Sequence, residues 1–129
     1  MKILAILTRV YLSPEVLAPA IAFYEELFGK SCQLRFSYPA VGLELAQVSS
    51  ILLIAGTEAA LEPYRTTHST FLVDSLDEFQ QHLEQGDTLI ISQPKSVPTG
   101  RNMRVMHPDG LVVEYVEHAP SAQENADIA

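Results

Sequence analysis

One pattern of elements occurs twice in this chain, and it constrains the fold more than any single motif does. Ile3 to Leu12 is an apolar, β-branched-rich run that reads as a strand. Ser13-Pro14-Glu15 then opens a helix: Ser13 can cap free N–H groups, Pro14 fits the first turn and Glu15 suits the positive dipole end. Val16, Leu17, Ala20, Ile21, Tyr24, Leu27 and Phe28 recur at helical spacing, and Gly29 ends the helix in a left-handed conformation. Strand-like pieces follow at about 33–38, 42–47 and 50–55, and 56–67 reads as a polar connector. The order then restarts. His68 to Val73 reads as a strand. Ser75-Leu76-Asp77-Glu78 matches a capping box, in which the two side chains cap each other's backbone N–H. Strands at about 88–92, 101–107 and 111–116 complete the second copy, the last two joined by the turn His107-Pro108-Asp109-Gly110. Two copies of one βαβββ unit, with Ser13 and Ser75 62 positions apart, predict an α+β fold. Pairing the units bends their sheets around a shared concave space, the natural ligand site.

The bulk numbers bound what that space serves. At 129 residues the chain has one-domain length, with module one at 1–60, module two at 66–118 and a tail at 119–129. The net charge of −8 and the lack of a Lys/Arg cluster argue against nucleic acid and anionic membrane surfaces, and would tolerate a cationic ligand. Thr8, Arg9 and Glu15 interrupt the first apolar run too early for a secretory h-region, so it reads as a strand. Cys32 is the only cysteine, which fits a reducing, cytoplasmic setting, and no activating partner for it is evident.

Three stretches carry a family resemblance. Ala20-Ile21-Ala22-Phe23-Tyr24-Glu25-Glu26-Leu27-Phe28-Gly29 is similar to a first-helix motif, A-x-x-F-Y-x-x-x-L-G. His68-Ser69-Thr70-Phe71-Leu72-Val73-Asp74 is similar to the strand opening a second module. Met106-His107-Pro108-Asp109-Gly110-Leu111-Val112-Val113-Glu114 is similar to a hairpin motif, D-P-D-G-x-x-(I/V)-E. Together they resemble the vicinal-oxygen-chelate superfamily of glyoxalases, bleomycin-resistance proteins and extradiol dioxygenases.

The resemblance implies paired βαβββ modules, a homodimer, and a divalent metal held by the first and last strand of each module. Carried over residue by residue, it places ligands on His68 and Glu114 in module two. In module one it falls on Ala5, with Thr8 nearby, and on Leu53 or a neighbour, none of which is a strong ligand. Glu44 is a rescue only if its strand shifts register. Two protein ligands make an incomplete site, so no resident cofactor is expected, although Zn, Ni, Mn or Fe stays open.

Two function classes follow. One is a metal-free protein that encloses a small organic molecule, as bleomycin-resistance members do. The other is a metal-dependent lyase, isomerase or dioxygenase using His68 and Glu114, with Glu114 also a candidate catalytic acid–base group. Phe36, Tyr38, Phe71, Arg101, Met103 and Tyr115 are candidate pocket walls. Arg35, Arg101 or Arg104 could neutralise Glu114. His82, His107 and His118 read as lying away from the site.

Overall fold

Alternation and helical periodicity translate into eight strands and two main helices. The computed structural model describes residues 1–120. Strand β1 spans Ile3–Leu12, β2 Leu34–Tyr38, β3 Leu43–Val48 and β4 Ile51–Ala55. Strand β5 spans Ser69–Val73, β6 Leu89–Val97, β7 Gly100–Met106 and β8 Val112–His118. Helix α1 (Leu17–Phe28) belongs to module one, and α3 (Leu76–Glu84) belongs to module two. A short helix, α2 (Glu58–Leu61), lies between them.

All eight strands form one curled sheet in the order β2-β3-β4-β1-β5-β8-β7-β6. In each module the first strand pairs parallel with the last, β1 with β4 and β5 with β8. The modules join where β1 runs antiparallel to β5, with Leu7 opposite Thr70. They therefore pair within one chain. The expected α+β architecture of paired βαβββ units holds.

Both helices cover the convex side of the sheet. Leu17 and Ile21 of α1 pack on Ala46, Val48, Leu53 and Ala55. Leu76 and Phe79 of α3 pack on Val73, Met103, Val105, Val113 and Tyr115. Strand residues one step out of phase with these face the concave side. No helix among the described residues is long and apolar enough to cross a membrane.

The two helix starts differ from the expected symmetry. Ser75 Oγ accepts the Glu78 N–H at 3.3 Å. The reciprocal half of the capping box is absent: the Glu78 carboxylate lies 2.7 Å from the N-terminal amine, and Leu76 N–H donates to Glu117. Ser13 makes no side-chain cap at all. Pro14–Val16 forms a 3-10 turn there, and the tighter winding starts α1 later than the sequence predicts. Gly29 does end α1 with φ 64°.

The connector expected to be only polar loop contains α2, capped by Thr57 Oγ1 on Ala60 N–H at 3.2 Å and anchored by buried Leu61. Strand β6 is longer than predicted and reaches the β6–β7 turn. A Cβ on Gly100 there would lie 2.1 Å from the Glu117 carbonyl oxygen, so β8 can run alongside only a glycine. Of the expected tail, Ala119 is tied by its N–H to the Thr99 carbonyl at 2.7 Å. Residues 121–129 lie outside the described residues.

Candidate functional site

The concave face encloses a cavity of about 80 Å³. That is several times the ~10–15 Å³ a single water needs. Module one contributes an almost wholly apolar wall, including Leu34, Phe36, Leu43, Leu45 and Ile54. Tyr38 and Gln47 lie on the same side. Module two contributes Thr70, Lys95, Asn102, Glu114 and His118, with Leu72, Val97 and Val116 among them. The phase of each strand explains the set. Residues 7 and 9 of β1, 70 and 72 of β5, and 114, 116 and 118 of β8 share one face.

A polar cluster crosses the module boundary on the cavity floor. Arg9 of β1 reaches Glu114 of β8 with Nη1 3.3 Å from Oε1. The same Nη1 donates to Thr70 Oγ1 at 2.9 Å, and Thr70 donates to Glu114 Oε1 at 3.2 Å. Asn102 Nδ2 donates to the other carboxylate oxygen at 2.9 Å. Arg9 Nε donates to the Tyr11 hydroxyl at 2.7 Å, which is fastened to the Thr67 carbonyl at 2.8 Å. Burial pushes the Tyr11 hydroxyl up from its ordinary value, against the lowering effect of the Arg9 charge. The guanidinium is almost sealed, its side chain 4% exposed against 19% for Glu114. The pair is thus an interior ion pair in which every neighbour of the carboxylate is a donor.

His118 stands further along β8 on the same face. Burial lowers its pKa, and the negative charge of Glu114 opposes that shift. The imidazole is therefore held neutral over a wider pH range than a free histidine.

The structure sorts the expected site residues. Glu114, Phe36 and Tyr38 line the cavity. His68 does not. It precedes β5 and is exposed, and its Nδ1 accepts the Val112 N–H at 2.9 Å while its own N–H donates to the Val112 carbonyl. The β5 residue opposite Glu114 is Thr70, so His68 and Glu114 are not brought together. Phe71, Met103 and Tyr115 are one step out of phase with Thr70, Asn102 and Glu114. They lie against α3 on the convex side. Tyr115 bonds His107 there at 2.7 Å.

Arg101 is on the same side, 3.3 Å from Asp77 at the surface. Arg35 is exposed, and Arg104 donates to the Pro63 carbonyl at 2.9 Å. The cation that meets Glu114 is instead Arg9. Glu44 is exposed between cavity-facing Leu43 and Leu45, so no register shift brings it in. Leu53 is buried under α1, and its neighbours Leu52 and Ile54 face the cavity. Ala5 packs with the apolar cluster of the concave side.

The donor set does not fit a chelated metal. Among the described residues, no three His, Cys, Asp or Glu side chains converge. The one carboxylate of the cavity already faces a guanidinium, whose charge repels a second cation at the same oxygens. Cys32 lies away from this cavity, its Sγ donating to the Leu34 carbonyl, and burial raises its pKa.

No protein-family model matches the chain, and a search of curated proteins returns no match. Among solved structures, an uncharacterised protein from Methanosarcina mazei is 57% identical over 92% of this chain and 95% of its own, with a TM-score of 0.84. This chain belongs to the family of that protein. Methylmalonyl-CoA epimerase from Mycobacterium tuberculosis is 18% identical over 92% of this chain and 91% of its own, with a TM-score of 0.68. A methylmalonyl-CoA epimerase variant from Streptomyces coelicolor, in complex with 2-nitronate-propionyl-CoA, is 17% identical over 93% and 96%, again with a TM-score of 0.68. At those identities the likeness is one of fold, the vicinal-oxygen-chelate fold. The family therefore carries that fold with Arg9 and Glu114 paired, in this member, on the concave floor.

Proposed function

We propose that the protein binds a small, largely apolar organic molecule in the cleft between its modules, without a chelated metal. The observation that carries this reading is the cavity itself: an apolar wall from one module faces a floor whose carboxylate is already neutralised by Arg9. Apolar area supplies affinity in such a pocket, and a few polar groups orient the guest. The ligand named for the Streptomyces coelicolor structure is an acyl-CoA analogue, which suits the idea of an acyl-sized guest in a cleft of this fold. The metal-dependent alternative draws no support from the residues present, because its two ligands point to different places.

The test is thermal unfolding of the full chain with the uncharged probes 1-hexanol and indole, with and without EDTA. Saturable stabilisation by at least one probe, unchanged by EDTA and lost in Leu45→Arg, is expected. No stabilisation by either probe, or stabilisation that EDTA abolishes, would overturn the reading.

A further inference from the structure

The cavity has a charge of its own, opposite to that of the chain. The whole sequence carries −8, with 8 Lys and Arg against 16 Asp and Glu. Yet the cavity is lined by two cations, Arg9 and Lys95, and one carboxylate, Glu114. Its other titratable groups are Tyr38, Tyr64 and His118, the last with a lowered pKa. The lining is therefore one positive charge in excess when these three are neutral.

Arg9 also has donors to spare. A guanidinium carries five N–H groups. Nε–H goes to Tyr11, and the two on Nη1 go to Thr70 and Glu114. The two on Nη2 have no acceptor among the described residues, although the side chain is only 4% exposed. Nη2 is not itself sealed, so water or a guest in the cavity can serve as its acceptor. Arg9 is itself a cavity-lining residue, so a guest can supply one.

Building on the reading above, we infer that the guest is a monoanionic organic acid: its carboxylate is received by Arg9 Nη2 and its apolar body lies against Phe36, Leu45 and Ile54. Lys95, exposed at the cavity edge, draws the anion in. Glu114 is then a positioning residue. It holds one edge of the guanidinium, with Thr70 and Asn102 holding Glu114, and leaves Nη2 to the ligand. A single negative charge matches the excess. An organic ammonium would meet two cations and a carboxylate already engaged by three donors.

The test is titration calorimetry of the full chain at pH 7.5 with three probes of one shape: hexanoate, hexanamide and hexylamine. Hexanoate is expected to bind at least tenfold more tightly than hexanamide, with hexylamine weakest. That ratio is what one charge-assisted hydrogen-bonded contact contributes. Arg9→Gln should bring hexanoate down to hexanamide. Arg9→Gln combined with Glu114→Gln should do the same without leaving a lone buried charge, so a folding defect in the single variant cannot mask the result. Lys95→Gln should weaken hexanoate by only about two- to fivefold, mostly through the on-rate.

Equal binding of hexanoate and hexanamide would overturn the anion assignment while leaving the cleft as a site for apolar guests. Tightest binding by hexylamine would overturn it as well. A hexanoate preference that survives in the double variant would remove Arg9 from the role. No binding by these three, by 1-hexanol or by indole would take down the cleft reading itself.

Discussion

The two modules share a topology and divide the labour of the cavity. Module one lines its half with Leu34, Phe36, Leu43, Leu45 and Ile54, and module two lines its half with Thr70, Lys95, Asn102, Glu114 and His118. Arg9 is the charged exception: it belongs to module one but completes the polar half by crossing from β1 to β8. The sheet order makes this crossing short, because β5 alone separates those strands and contributes Thr70 between them. A duplicated fold thus yields an asymmetric site. One half presents apolar area and the other polar groups, which is the arrangement the proposed guest needs.

The largest test of that division removes the crossing residue. Arg9→Met should cost about 3–5 kcal/mol, because it leaves Glu114 largely buried without its cation. Adding Glu114→Gln should restore much of the loss, and urea unfolding of both variants measures the coupling. Strong additivity would mean the two side chains do not act as a pair.

Next comes the contrast between the two faces of module one. Leu53→Ala, fully buried under α1, should cost about 3 kcal/mol. Leu45→Ala, half-buried on the cavity wall, should cost about half as much and make room for larger guests. Equal losses would mean the concave wall is as tightly packed as the helix side.

The helix starts offer a smaller comparison. Ser75→Ala should cost about 1 kcal/mol through its cap, and Ser13→Ala, which makes no cap, should stay within about 0.5 kcal/mol. Equal effects at the two serines would restore the symmetry that the structure lacks.

The smallest effect is a slope with pH. Burial lowers the pKa of folded His118 below the 6.5 of the free side chain. Between those two values the unfolded chain holds more protons. Stability is therefore fully present above about pH 6.5 and declines as pH falls towards the folded-state value. His118→Gln should flatten that part of the profile, as followed by urea midpoints from pH 7.5 to 5. An unchanged slope would place His118 in solvent.

The repeat, the β1 limits, the Gly29 stop and the hairpin at His107–Gly110 are all legible in the sequence, because each rests on local periodicity or turn chemistry. The site is less so, for two reasons. Strand phase was the first. Glu114 and Tyr115 are neighbours on one strand and cannot both face the cleft, so choosing Glu114 already places Tyr115 against α3. The same alternation removes Phe71 and Met103 once Thr70 and Asn102 point inward.

Long-range pairing was the second reason. Arg9 reads locally as a break in an apolar run, and nothing near it in sequence announces a partner 105 residues away. A signal did exist: Leu7, Arg9 and Tyr11 alternate within a strand, which puts a lone charge on an apolar face, where it must find a counter-ion. His118 lies close to the C-terminal tail in sequence, but β8 continues through it and keeps it in phase with Glu114. Helix α2 is too short at four residues for periodicity to show, and only Thr57 hinted at its start.

A guanidinium faces Glu114 on the cavity floor, and we propose that no chelated ion shares that carboxylate. Equilibrium dialysis of the purified protein against Zn, Ni, Mn and Fe(II), followed by elemental analysis, tests it most directly, with Glu114→Gln alongside. Well under a tenth of an equivalent of any metal is expected, with the same trace in the variant. About one equivalent in the wild-type protein, lost in Glu114→Gln, would contradict it.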